Sequence, residues 1–281
     1  MTSTLARHPG RLLVILVLLL HSVIVIYPLF WMITNSFKTT QQIFEASWTM
    51  PTVWVVENYV KAWQGGISAY FMNSVIVTGS TIVLTLALSS LAAFGMTRAE
   101  AGGAGRAAGL VLMACIGGML VAPQVALVPL YKMMQALHLH DTHWALILMY
   151  TAYRLPITVL LIRAVFVTVP RDLDDSAHID GCTSFQTLWH VYLPMSRSIL
   201  LTASVLTAYH AWNEFLFAII FIDSDRLKTV PAGLMNFRDA LMTDWGVLVA
   251  GLVISAAPIV IMFILAQRYF MSGFAAGAVK G

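Results

Sequence analysis

Six stretches of this 281-residue chain are apolar over about 20 residues or more, the length an α-helix needs to cross the hydrocarbon core of a bilayer. They are predicted at about 12–34, 71–97, 107–131, 144–167, 197–222 and 246–270. Composition leads the same way. The chain is 59% hydrophobic and only 10% charged, against about a quarter charged in a soluble domain. That balance excludes a water-soluble globule, and it also excludes disorder, which needs low hydrophobicity and high charge. The first apolar run is too long for a signal-peptide core, and no small-x-small cleavage site closes it before Trp31, so it reads as a retained span. No Gly/Ser linker or charge run marks a second domain. The outer loops, at about 35–70 and 223–245, are too short to fold alone. The expected architecture is an all-α integral membrane protein, residues 1–281 forming a single transmembrane domain of six helices.

Orientation follows from Lys and Arg near the span ends. Arg7, Arg11, Arg98, Arg106, Arg163, Arg171, Arg197, Arg268 and Lys280 fall on one side, nine residues in all. Lys38, Lys61, Lys132, Arg226, Lys228 and Arg238 make six on the other, scattered through longer loops. An even number of spans puts both termini on the richer side, which is assigned to the cytoplasm. Arg154 is left inside the membrane.

The chain has no G-x-x-x-x-G-K-[ST] loop to hold ATP phosphates, no H-E-x-x-H and no G-x-S-x-G, so no catalytic residue and no cofactor of its own is expected. Cys115 and Cys182 fit neither a disulfide framework nor a metal-ligand spacing. His138, His140, Asp141 and His143 cluster in a short outer loop, but without an i, i+4 pair or a further ligand they read as a polar turn, and no metal is assigned. The net charge is only +3, and no nucleic-acid partner is expected.

Polar residues within spans are costly in lipid and therefore informative. Asn73, Gln124, Asn213 and Glu214 are candidates to line a polar translocation path, with Arg154 and His210 also inside the membrane. Glu214, in Trp212-Asn213-Glu214-Phe215, stands near the middle of the fifth predicted span. Its carboxyl group must face the bundle interior, water or a partner subunit.

The segment between spans four and five, about 170–194, carries the most specific pattern. Asp172 is suited to cap a helix, and Asp174 and Asp175 favour its first turn. Gly181 can end that helix in the left-handed conformation. Thr183 with Gln186 forms a capping box for a second helix, and Phe185, Leu188, Trp189 and Tyr192 at i, i+3, i+4 and i+7 give it one apolar face. The product is a short helix, a glycine bend and a second short helix, built to dock into a protein groove.

This segment resembles the cytoplasmic loop of permease subunits of binding-protein-dependent ATP-binding cassette importers. The family pattern is Glu-Ala-Ala, three residues, Gly, a spacer, then an apolar residue and Pro. Here it stands as Asp175-Ser176-Ala177, three residues, Gly181, then Leu193-Pro194, departing by Asp for Glu and Ser for Ala. Pro28-Leu29-Phe30-Trp31 with Ser36-Phe37-Lys38, Glu57-Asn58-Tyr59, Asn73-Ser74, Ala92-Ala93-Phe94 with Arg98, Trp212-Asn213-Glu214-Phe215 and the closing Gly277-Ala278-Val279-Lys280-Gly281 are similar to the carbohydrate branch, particularly the smaller permease of maltose-type systems.

The resemblance implies a bacterial or archaeal inner-membrane permease that pairs with a second, homologous permease around one sugar pathway. Two ATPase subunits, which would hold the ATP and Mg, would dock on the loop through Asp172, Asp175, Ser176, Ala177, Asp180, Gly181 and Phe185. The C-terminal tail, through Val279 and Lys280, would reach the same subunits, and an extracytoplasmic sugar-binding protein would deliver substrate. The alternative reading is a self-contained secondary transporter or channel. It accounts for the polar intramembrane residues but not for the capped helix–glycine–helix loop or the lack of an inverted repeat.

Overall fold

The computed structural model describes residues 9–240 and 244–278, and all secondary structure among them is helical. In chain order the helices are α1 (Pro9–Asn35), α2 (Thr40–Ala46), α3 (Glu57–Ala62), α4 (Ser68–Ala101), α5 (Gly105–Leu120), α6 (Leu127–Ala136), α7 (His143–Phe166), α8 (Arg171–Ile179), α9 (Ser184–Thr187), α10 (Leu193–Met195), α11 (Arg197–Asn213), α12 (Leu216–Phe221), α13 (Val230–Ala240) and α14 (Trp245–Ala278). Four runs are long and apolar enough to span a bilayer: Leu12–Asn35, Glu57–Glu100, His143–Phe166 and Trp245–Leu265. Two bent pairs, Gly105–Leu120 with Pro123–Ala136 at 85° and Ser184–Met195 with Arg197–Asn213 at 83°, bring the count to six.

Two predicted spans are therefore not continuous helices. The third, expected at about 107–131, breaks after Leu120, where Val121 and Ala122 are extended (ψ 116° and 126°). Proline disfavours helical backbone in the residue before it, and Pro123 then opens a short 3₁₀ segment (Pro123–Ala126) leading into α6. The fifth, expected at about 197–222, breaks at Glu214 (ψ 128°) with no proline to cause it. By contrast Pro28, Pro156 and Pro258 lie inside unbroken helices.

The chain packs as two compact units interleaved in sequence, residues 1–68 with 234–256 and residues 69–233 with 257–281. In the first unit α1 exposes its apolar side chains along most of its length. The segment after it closes into a polar knot. Lys38 is buried, and its Nζ donates to the Ala46 and Ser47 carbonyls at 2.8 and 3.2 Å, neutralising the exposed C-terminal end of α2. Burial lowers the Lys38 pKa from its ordinary value. Asn58 donates to the Ser36 and Lys38 carbonyls, both at 2.9 Å. Gly246 at the start of α14 packs directly on this knot: a Cβ there would lie 2.3 Å from the Lys38 carbonyl oxygen and 2.7 Å from Asn58 Nδ2.

In the second unit α7 is central and packs against α5, α11 and α12. Leu146, Met149 and Tyr150 of α7 meet Ala211, Phe217 and Phe221 in one core. Ile162 and Phe166 meet Phe94, Leu188 and Tyr192 in another, which seats the α8–α11 segment on α4 and α7.

Candidate coupling loop and membrane-embedded polar face

The loop between α7 and α11 folds as the helix–bend–helix that its sequence specifies. α8 ends at Ile179, and Gly181 follows with φ 80°, the left-handed conformation that suits a glycine after a helix end. The chain then enters α9 through a capping box. Thr183 Oγ1 accepts from Gln186 N at 3.3 Å, and Gln186 Oε1 accepts from Thr183 N at 2.8 Å. Asp172 is not the cap. Pro170 holds that position, and Asp172 stands in the first turn, where its charge still favours the helix N-terminus.

Helical spacing divides α8 into two faces. Asp174 and Ala177, at i and i+3, turn toward the rest of the chain. Ala177, expected from sequence among the docking residues, is buried and packs inward in this chain. Asp172, Asp175, Ser176 and Ile179, at i, i+3, i+4 and i+7, are exposed together, with Asp180 just beyond. Ile179 is 86% exposed, an apolar tip on an acidic face.

Phe185 is exposed as expected, but the apolar stripe of the second helix is split. Leu188 and Tyr192 are buried, while Phe185 and Trp189 stay exposed and stack on each other with ring centroids 6.4 Å apart. Leu188 and Tyr192 lie at the edge of the stripe that joins the core of Phe94, Ile162 and Phe166, and a π-helical turn runs over Leu188–Tyr192.

Arg98, in the last turn of α4, holds the loop in place. Its guanidinium pairs with Asp174 at 3.1 Å, donates to Ser184 Oγ at 2.5 Å and lies 5.1 Å over the Phe94 ring. One side chain thus ties α4 to both loop helices. Arg163 of α7 pairs with Glu100 beside it. Neither pair is legible from sequence, because the partners are 76 and 63 residues apart.

The polar residues of the spans separate into structural and unspent groups. Asn73 is buried and donates to the Arg226 and Lys228 carbonyls at 2.8 and 2.9 Å, while Ser74 Oγ accepts from Val230 N at 2.8 Å. Asn73 therefore clamps the 226–230 segment to α4, and both its amide hydrogens are committed. Glu214 sits at the break between α11 and α12. Its carboxyl oxygens accept from Phe217 N at 3.0 Å and Ala218 N at 3.2 Å, capping α12, and from the buried Tyr150 hydroxyl at 2.7 Å. Asn213 is exposed and donates to the Tyr209 carbonyl at 2.8 Å. Gln124 is exposed at the break before α6. Val279 and Lys280 lie outside the described residues.

The histidine loop before α7 is a backbone clasp. Asp141, with φ 56°, accepts from Asp223 N and Ser224 N at 3.0 and 2.9 Å and from the Ser224 hydroxyl. The Ser224 hydroxyl is the main cause holding the Asp141 carboxyl below its ordinary pKa. His140 lies 3.7 Å from Asp223, and His143 Nε2 is 3.2 Å from the Leu227 carbonyl.

Membrane-length helices broken at three points, with a capped acidic loop keyed to them from one side, define the membrane subunit of a transporter. The chain belongs to the family of binding-protein-dependent transport system inner membrane components, whose pattern matches residues 99–273. It is 55% identical to the probable ABC transporter permease protein YurM of Bacillus subtilis, over 94% of this chain and 87% of that protein. It is 35% identical to the trehalose/maltose transport system permease protein MalG of Thermococcus litoralis, over 96% of this chain and 97% of that one. Its fold matches a chain of the crystal structure of a bacterial ABC transporter involved in import of the acidic polysaccharide alginate, with a TM-score of 0.78 and 18% identity, covering 92% of this chain and 95% of the other. The chain is thus a multi-pass permease subunit of a binding-protein-dependent ABC importer.

Proposed function

We propose that this permease imports a saccharide, pairing with a second, homologous permease around one pathway. Both termini and the α8–α9 loop lie in the cytoplasm, where two ATPase subunits bind, one to each permease. The ATPases hold ATP and Mg, and an extracytoplasmic binding protein delivers the sugar from the opposite side. This chain performs no covalent chemistry. A ligand-loaded binding protein and ATP bias a two-state pathway from opposite ends.

The observation that carries this reading is the α8–α9 loop. Its outward face joins Asp172, Asp175, Ser176 and Asp180 to the exposed apolar residues Ile179 and Leu173, the chemistry of a groove-seated helix with an acidic rim. Phe185 stands beside it across the Gly181 bend. Ala177 serves by packing inward. A saccharide substrate is supported by the relatives: besides the trehalose/maltose permease, a 31% identical relative is the sulfoquinovosyl glycerol permease of Agrobacterium fabrum. The C-terminal tail, including Val279 and Lys280, is proposed to reach the ATPase pair.

The test is reconstitution of the permease with its second permease, ATPase and binding protein. The expected result is ATPase activity stimulated by loaded binding protein, and a cysteine at Val279 or Asp175 that cross-links to the ATPase. Uptake driven by an ion gradient without an ATPase would favour the secondary-transporter reading instead.

A further inference from the structure

About halfway along the 24-residue α7, Tyr150, Tyr153 and Arg154 project at i, i+3 and i+4. His210, Asn213 and Glu214 repeat that spacing at the end of α11. The two triplets meet: the Tyr153 and His210 rings are 4.8 Å apart, and the Tyr150 hydroxyl bonds Glu214. Part of this polar patch is open, since Tyr153 is 41% exposed and Asn213 is also exposed. In a bilayer such a face is stable only toward water or another subunit.

Its charges do not balance internally. The one carboxyl group in the patch, Glu214, is spent on the α12 amides and the Tyr150 hydroxyl. Arg154 is partly buried and forms no ion pair among the described residues; its buried Nε–H, like that of Arg163, has no acceptor. Elsewhere Arg98 and Arg163, at the membrane ends of their helices, each have a carboxylate. An unpaired guanidinium halfway through a span is the most costly state such a group can occupy. Planar two-point pairing with an oxyanion is what a guanidinium does best.

We infer that Arg154 is a substrate-selecting residue of the pathway and that the saccharide this importer carries is anionic, bearing a carboxylate, sulfonate or phosphate. The inference rests on the importer reading above. Tyr153 offers a ring face for the pyranose beside the charge, and the oxyanion of the passing substrate supplies the countercharge that Arg154 otherwise lacks. A neutral sugar leaves the guanidinium uncompensated at the same point, so the pathway discriminates by charge as well as by shape.

The test uses cells carrying the complete importer, set against cells lacking it, in a defined mixture of glucose, maltose, glucuronate, galacturonate, a glucuronate-containing disaccharide, a sulfonated glucose and glucose 6-phosphate. Depletion of each is followed by mass spectrometry. An anionic member should be depleted in an importer-dependent way, and comparison of uronates, sulfonate and phosphate identifies the oxyanion. Arg154→Gln should lower that uptake at least about tenfold, with Arg154→Lys recovering part of it, while the two permeases still copurify. Depletion of neutral members only, or of no anionic member, overturns the inference. So does Arg154→Gln with unchanged anionic uptake. Loss of permease pairing in Arg154→Gln also overturns it, because Arg154 would then be an intersubunit ion pair. Failure of the importer reading is distinguished by a separate signal, the absence of any ATPase stimulation by the binding protein in the reconstituted complex.

Discussion

Glu214 gives the sharpest separation between a group that builds the fold and a group that serves the pathway. Replacing it by alanine removes the cap of α12, a loss of about 0.5–2 kcal/mol. It also strands the hydroxyl of Tyr150, a residue only 1% exposed, whose acceptor at 2.7 Å disappears. A buried donor left without a partner costs about 1–3 kcal/mol. The expected total for Glu214→Ala is therefore about 2–4 kcal/mol, since two adjacent losses on one side chain overlap. Glu214→Gln keeps one carbonyl oxygen for the cap or the hydroxyl and should cost about 1 kcal/mol. Tyr150→Phe alone should cost a similar amount, and combining it with Glu214→Ala should add little to the latter. Unfolding of the purified permease pair in mixed micelles, titrated with a denaturing detergent, measures the series. The cap reasoning is refuted if Gln destabilises as much as Ala, or if Ala lies within about 0.5 kcal/mol of the parent, the range of an ordinary surface substitution.

Three further perturbations follow from the packing. Gly246→Ala should destabilise by about 1–3 kcal/mol, the range for overpacking, because the new Cβ meets the Lys38 carbonyl oxygen at 2.3 Å; detergent melting of the purified protein checks this, with Gly10→Ala, which has open space around it, as the neutral control. Gly181 also has open space around it, so its cost is conformational only: Gly181→Val should lose about 1–2 kcal/mol in the left-handed region and uncouple uptake from ATP hydrolysis, while Gly181→Asn is largely tolerated in the same transport assay. Asp141 has a lowered pKa in the folded protein, so its stabilisation is full above the ordinary carboxylate range and fades as pH falls through the lowered value; melting of Asp141→Asn should converge on the parent in strong acid and fall below it at pH 7.

The helix–glycine–helix loop was legible because every signal in it is local. A capping box, a glycine after a helix end and acids in a first turn all act within four residues. The spans were legible by length and hydropathy alone. The break at Pro123 had a local cause in sequence, yet the apolar count ran across it. At Glu214 no proline marks the break; the carboxyl group caps the amides of Phe217 and Ala218 within four residues, but the Tyr150 hydroxyl that completes its bonding lies 64 residues away. Asn73 was read as a path residue on the cost of an amide in lipid, but the carbonyls that satisfy it come from a segment about 153 residues later. The outward position of Phe185 and Trp189 is set by which edge of the stripe meets the core, and that core of Phe94, Ile162 and Phe166 is supplied by other helices. The close approaches at Gly233 and Gly246 are likewise tertiary facts, since only the fold brings Tyr70 or Lys38 against them.

The attachments of α7 also constrain how the loop can act at a distance. Near its C-terminal end, Ile162 and Phe166 share a core with Leu188 and Tyr192 of the loop segment, and Arg163 is paired to Glu100 of α4. At its middle, Tyr150 holds the cap of α12. At its start, His143 contacts the Leu227 carbonyl, and the preceding Asp141 ties down Asp223 and Ser224. These fastenings lie along one unbroken helix, in which Pro156 causes no gap. If the loop moves with an ATPase, as proposed, a displacement of α8 and α9 would be carried by α7 and α4 together, with Arg98 as the joint, rather than absorbed by bending at the loop. If so, Arg98→Ala, whose ion pair with Asp174 is about a quarter exposed and worth about 1 kcal/mol in stability, should leave assembly intact while reducing ATP-driven uptake far more than that figure implies, and Arg98→Lys should recover part of it. Spin-label distances between positions near Leu173 and Trp144 should stay fixed between nucleotide states in the parent protein. A change in that distance on ATP binding would mean the loop flexes against the bundle, and rigid transmission through α7 would be wrong.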